Sequence, residues 1–187
     1  VILAPSTMLA PTGKRIKTDK RDALMIANCL STSGYSEVHI PTKTDEDVRE
    51  YLRMRDDHIL ALKKNKQQIN AFCLRHGFKY AATKWTQAHM KWMNELELSE
   101  LEKEVLDEYL VTYRYLADKI ERFDARIEEL AAREEYREKV GRLSCFIGIK
   151  KQAALSLIVE TGDFSRFAKG NIYAAYLGMA PGGIIQQ

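Results

Sequence analysis

Cysteine and proline are scarce in this chain, and long apolar runs are absent. The three cysteines, Cys29, Cys73 and Cys145, are widely spaced and odd in number. This fits a reducing cytoplasm better than a disulfide framework. Cys73-x-x-His76 has no second pair to complete a zinc site, so these two residues are expected to pack in a core or interface. With only four prolines, long stretches are left free to run as helix. No stretch is apolar enough for long enough to cross a membrane. Val1-Ile-Leu-Ala4 is too short for a signal peptide and lacks a basic leader; it reads as a buried strand. A cytoplasmic protein with no membrane partner is expected. At 45% hydrophobic and 29% charged residues, the composition is that of a soluble, helix-rich chain.

Net charge is only +3, but it is unevenly placed. From Arg49 to Lys91 there are ten Lys or Arg against three acids; from Glu95 to Glu135 there are fourteen acids against six bases. The basic segment either pairs with the acidic one or lies along nucleic acid. A solvated charged face is the plainer account of each.

Apolar spacing predicts a mostly α architecture. A first helix runs from about Asp19 to Leu30, ended by Ser31-Thr-Ser-Gly34 with Gly34 as cap; Glu37-Val-His-Ile-Pro41 is a brief strand or extended segment. Further helices are expected over about 44–76, 81–94 and 99–137. Leu52, Ile59, Leu62, Ile69 and Cys73 keep a 3–4 rhythm, interrupted by Arg55 and Lys66. Trp85, Met90, Trp92 and Met93 read as packing residues rather than a base-stacking platform. Ser99-x-x-Glu102 is a capping box, and Tyr113, Leu116, Ile120, Phe123, Ile127 and Leu130 form a heptad seam. The seam needs a partner: the 44–76 helix folded back, a second copy, or both. An antiparallel helical stalk or coiled coil is the preferred form.

Two stretches carry chemistry. In Gly13-Lys-Arg-Ile-Lys-Thr-Asp-Lys-Arg-Asp-Ala23, the carboxylates of Asp19 and Asp22 stand three residues apart among Lys14, Arg15, Lys17, Lys20 and Arg21. If a helix starts near Asp19, both acids share one face of its first turn. Hard oxygen ligands of this kind hold Mg²⁺, and the surrounding cations suit a DNA or RNA backbone. Acids at a helix start are equally explained as caps and as complements to the helix dipole. The second stretch is Leu143-Ser-Cys-Phe-Ile-Gly-Ile-Lys-Lys-Gln-Ala-Ala154, which approximates a helix-hairpin-helix, with Ile147, Gly148, Ile149 and Ala154 in place. In that motif, turn amides at a helix N-terminus receive a nucleic-acid phosphate. Gly148, Lys150 and Lys151 are the candidate contacts, although Lys150 stands where a second glycine is usual. An ordinary helical hairpin is the competing account.

Lys17-Thr-Asp-Lys-Arg-Asp-Ala23, then Phe146-Ile-Gly-Ile149 with Glu160-Thr-Gly-Asp-Phe-Ser-Arg-Phe167, then Tyr176-Leu-Gly-Met-Ala-Pro181 together resemble the DEDD-class bacterial insertion-sequence transposases. The likeness spans nearly the whole chain. It implies a RuvC-like N-terminal domain and a serine-bearing C-terminal domain. Residues 1–43 would then be the end of an α/β RuvC-like (RNase H-like) domain, 44–137 the stalk, and 138–187 the start of the C-terminal domain. Asp19 and Asp22 match the last two acids of the family's four-carboxylate Mg²⁺ set. The other two acids and the attacking serine are expected outside this sequence, which reads as an internal fragment; Ser156 and Ser165 belong to other motifs. The resemblance further implies DNA transposition by strand cleavage and joining, a guide RNA, and a homo-oligomer (dimer or tetramer) assembled through the stalk. With half a metal centre, the chain alone is expected to be inactive. A non-enzymatic nucleic-acid-binding or assembly protein, or the product of a decayed gene, is the alternative.

Overall fold

The computed structural model of the chain describes residues 18–32 and 39–179, and these are mostly α-helical, with no strand among them. The expected strand at 1–4 lies outside the described residues, as do residues 37 and 38 of the expected segment at 37–41; residues 39–41 are without regular structure. The chain divides into two compact units, residues 1–42 and 43–187.

In the first unit, α1 (Asp19–Ser31) forms where the helical spacing places it. Thr18 is its N-cap, in extended conformation, and its carbonyl accepts from the N–H groups of Arg21 and Asp22, each at 3.0 Å. The helix closes on Thr32, whose N–H and hydroxyl both donate to the Asn28 carbonyl; Gly34 lies outside the described residues. None of the residues of α1 is buried, and Leu24 and Leu30 are exposed.

The second unit is built on α2 (Lys43–Arg75) and α4 (Glu100–Ala131), which pack antiparallel. Their direction is fixed by the pairs along them. Tyr51 and His58 meet the ring of Phe123, Arg55 meets Asp124, Phe72 meets Tyr109 and His76 meets Glu102. The heptad seam on α4 therefore has the preceding long helix folded back as its partner.

Apolar residues concentrate at the two ends of this pair. At one end Val48 and Leu52 of α2 bury against Ile127 and Leu130 of α4, together with α5 (Glu134–Leu143) and α6 (Lys151–Thr161). At the other end Ile69, Phe72 and Cys73 bury against Leu106, Leu110 and Met93 of α3 (Gln87–Asn94). Burial pushes the Cys73 thiol up, consistent with a packing role. Polar groups occupy the middle. Arg55, which interrupts the apolar rhythm, lies flat in the seam with Nε 2.5 Å from Asp124 Oδ1. Asn65 is 4% exposed, and its Oδ1 has no hydrogen-bond partner among the described residues, a feature that no sequence pattern announces.

Two expected helices have other bounds. The 99–137 segment is two helices, because Ala132 ends α4 and Arg133, at φ −61° and ψ 152°, caps α5. The change of direction lets Tyr136 bury in the first core while its hydroxyl donates to Asp45 Oδ1 at 2.8 Å. No proline or glycine marks this break. The helix expected from residue 81 starts at Gln87, because Trp85 adopts φ 66° and Thr86 Oγ1 caps the His89 N–H at 3.3 Å.

A bulky residue in the left-handed region costs on the order of 1–3 kcal/mol. The surroundings of Trp85 offset that. Its ring stacks on Tyr113 at 5.3 Å, Lys66 lies over both rings, and its N–H donates to Nδ1 of the buried His89 at 3.1 Å. His89 in turn stacks on Trp92 and touches Tyr80. The two tryptophans thus serve a core, as their spacing suggests.

An Nδ1 that accepts a hydrogen bond must be unprotonated. Burial, helped by the Lys84 charge, holds the His89 pKa below its ordinary value of 6.5. The unfolded chain therefore takes up this proton first on acidification. The contribution to stability is complete above about pH 6.5 and is lost as the pH falls toward the depressed folded value, by at most about 1.4 kcal/mol per pH unit. Urea unfolding between pH 7.5 and 5.5 should show this loss, and His89→Gln, which keeps an acceptor but cannot titrate, should flatten it.

Candidate nucleic-acid interface and carboxylate pair

The two chemistry-bearing stretches fall in different units. In the first, Asp19 and Asp22 both lie in the opening turn of α1, with Lys20 and Arg21 between them. The N-cap is Thr18, so neither acid is the capping residue, and the Thr18 side chain makes no cap bond. What remains of the capping account is the dipole term: two acids at the positive end of a helix. The three-residue offset keeps both carboxylates on one side of the turn, and neither makes an ion pair among the described residues. Lys14, Arg15 and Lys17 lie outside the described residues. Among the described residues no group of three or more His, Cys, Asp or Glu could hold a metal ion. As donors, Asp19 and Asp22 could fill at most two positions of a hard-cation shell, and such a shell would require further oxygen ligands.

In the second unit, α5 and α6 form a helical hairpin joined by residues 144–150. Gly148 sits at φ +90°, which reverses the chain; Ile149 then turns onto the first core and Ala154 is fully buried. Lys150, in the place of a second glycine, is the N-cap of α6 at φ −82° and ψ 164°. That is ordinary extended backbone, so a lysine is accommodated without strain. No side chain caps α6, and the first intrahelical bond runs from the Ala154 N–H to the Lys150 carbonyl at 2.9 Å. The amides of the first turn therefore point outward without an intrahelical acceptor. Lys150 and Lys151 flank them, with Lys151 also 2.8 Å from Glu128 of α4.

After α6, Gly162 at φ +68° leads into a 3₁₀ turn, Phe164–Arg166. Asp163 accepts from both the N–H and the hydroxyl of Ser165, so that serine serves the turn. In α7 (Gly170–Tyr176), the Tyr173 hydroxyl lies 3.1 Å from that of the buried Thr161, and the Tyr176 hydroxyl donates to the Glu160 carbonyl. Arg166 covers the rings of Phe167 and Tyr176. The Glu160–Phe167 and Tyr176–Met179 motifs are thus one packed assembly behind the hairpin. Sequence reasoning missed the bonds that fix this assembly to α2: Arg49 donates to the Val159 carbonyl at 2.6 Å, and both Arg49 and Arg53 pair with Glu160.

Helical bundles of this kind serve many functions, and it is comparison with known proteins that gives the class: this chain is a relative of insertion-sequence transposases. Residues 141–184, which hold the hairpin turn, α6 and α7, match the transposase IS116/IS110/IS902 family. The chain is 36% identical over 174 residues to the transposase for insertion sequence element IS1533 of Leptospira borgpetersenii, an alignment covering 91% of this chain and 50% of the relative. It is 27% identical over 183 residues to y4qE of Sinorhizobium fredii (strain NBRC 101917 / NGR234), whose name gives transposase as a provisional function; that match covers 97% of this chain and 44% of the relative. The chain therefore spans about half the length of the curated relatives it matches. No solved structure matches it. No helix among the described residues is long and apolar enough to cross a membrane.

An added Cβ on Gly148 meets nothing within 4 Å, so the conformation alone demands glycine there. Gly148→Ala should cost about 1–2 kcal/mol from the left-handed backbone alone. A lowered urea midpoint with an unchanged slope is the expected result, and a neutral substitution would show that the turn relaxes to another conformation.

Proposed function

We propose that the chain is part of a DNA transposase of the insertion-sequence type, in which it binds DNA and contributes to strand cleavage and joining. The observation that carries this is the 36% identity to an insertion-sequence transposase along 91% of the chain. The local chemistry supports it. Residues 139–159 contain Lys139, Arg142, Lys150 and Lys151 and no acid, and Lys150 and Lys151 stand at the open amides of α6. At the start of α6 these two lysines can meet phosphate through charge and through a helix N-terminus together.

Asp19 and Asp22 are the residues that would hold Mg²⁺, within the four-carboxylate, RuvC-like centre that the family resemblance implies. When bound, such an ion polarises a phosphodiester and stabilises the charge of the leaving oxygen. The chain's own contribution is to hold two carboxylates on one helical turn, with Lys20 and Arg21 beside them for the backbone. Two-metal cleavage needs carboxylates on both sides of two ions, so this pair does not suffice alone. The helix-hairpin-helix reading, the RNA guide and assembly of copies through the α2–α4 stalk complete the proposal, in a cell interior where thiols stay reduced.

The test is binding of a DNA duplex by the 187-residue chain, followed by fluorescence anisotropy from low to physiological salt. The logarithm of affinity should fall linearly with that of salt, with a slope of about −0.9 per phosphate contacted. Binding indifferent to salt, or none at low salt, would sink the DNA reading. Under the same conditions with Mg²⁺ the isolated chain should neither cut nor join strands. Cleavage that disappears in Asp19→Ala would show that the carboxylate pair is already a complete centre, contrary to this proposal.

A further inference from the structure

The apex of the α5–α6 turn carries two adjacent apolar side chains that no described residue covers. Ile147 is fully exposed and Phe146 is 64% exposed, while their neighbours Leu143 and Ile149 pack against the first core. Scattered exposed apolar residues are ordinary; an adjacent pair at the tip of a turn is a feature. The tip is held in shape from both sides. The Phe146 N–H donates to the Leu143 carbonyl at 3.2 Å, and the Ile149 N–H donates to the Phe146 carbonyl at 3.1 Å. Gly148 at φ +90° turns the chain back directly behind it.

The charge around the tip says what meets it. From residue 139 to residue 159 there are four basic residues and no acid. Lys150 makes no ion pair among the described residues. Arg142 is paired with Glu138 and Lys151 with Glu128, but both pairs are half or more exposed and can exchange an acid for a phosphate. An apolar projection followed within four residues by Lys150 and Lys151 matches a nucleic-acid duplex, whose charged rails flank stacked, apolar bases.

We propose that Phe146 and Ile147 form a wedge that enters between adjacent base pairs of a DNA duplex, unstacking one step while Lys150, Lys151 and the α6 amides hold the flanking phosphates. Side chains of this kind open and kink duplexes at base steps. The inference rests on the reading that this turn meets DNA, and it adds a deformation of the duplex to simple contact with its backbone.

The experiment uses duplexes with a fluorescent aminopurine base at successive positions, read at saturating protein alongside anisotropy. With the wild-type chain, fluorescence should rise several-fold at one step, as stacking quenching is relieved there. Phe146→Ser and Ile147→Ser should lose that rise while keeping affinity within roughly tenfold, because the phosphate contacts remain. Circular dichroism should show unchanged helix content, since neither side chain is buried. Wild-type binding without a fluorescence change at any position would overturn the wedge and leave the DNA reading standing. So would a rise equal to wild type in both variants, or loss of all binding in well-folded variants, which would mean docking rather than insertion. Absence of wild-type binding at low salt would overturn both readings.

Discussion

The antiparallel pairing of α2 with α4 is the constraint on which the second unit depends. Each helix is more than thirty residues long and could not bury its apolar stripe alone. Pairing them head to tail brings the N-terminal half of α2 to the C-terminal half of α4, and there the remaining helices collect. Arg49 and Arg53 of α2 reach α6, Asp45 of α2 receives Tyr136 of α5, and Glu128 of α4 receives Lys151 of α6. The basic hairpin is therefore mounted on one end of the stalk by bonds to both of its helices. Of these, the Tyr136–Asp45 bond starts from a ring buried in the first core. Burial and the adjacent carboxylate push the Tyr136 hydroxyl well above its ordinary value, which keeps it a donor throughout the physiological range.

Those parts of the fold that rest on periodicity were legible in the sequence. The 3–4 spacing of Leu52, Ile69 and Cys73 and the seam from Leu116 to Leu130 state two long helices with complementary stripes, and the structure pairs them. The capping box at Ser99 was equally plain, with Glu102 Oε2 accepting from the Ser99 N–H at 2.9 Å. What escaped reading depends on tertiary contact. The break at Ala132 has no glycine or proline, because it is imposed by the burial of Tyr136 and Val140 rather than by local propensity. Asn65 looks like any polar residue of a charged helix, and only the fold reveals that its side-chain oxygen is buried without a partner among the described residues. His89 likewise becomes visible only when Trp85 takes a left-handed conformation and directs its N–H at the ring.

The candidate sites divide along the same line. Gly148 was legible because a reversal of the chain requires it, and its φ of +90° agrees. Lys150 was the doubtful position, and its extended φ shows why a lysine serves where another turn would need glycine. Asp19 and Asp22 were legible as a pair on one turn, but their chemical setting could not be read locally. The same two residues are a dipole complement in isolation and half of a cation shell once further oxygen ligands are supplied.

The two stretches also differ in what their surroundings can do for them. The hairpin is held by buried neighbours and by bonds to three other helices, so its amides and its apolar tip are presented in a fixed geometry before any ligand arrives. Preorganisation of that kind lowers the ordering cost of binding. The carboxylate helix has no buried residue of its own among those described, so nothing comparable within it fixes Asp19 and Asp22. Metal chemistry tolerates little misplacement of its ligands. Within this chain, then, the hairpin is anchored by its own packing, whereas the proposed metal role of the acid pair would require further ligands and further packing.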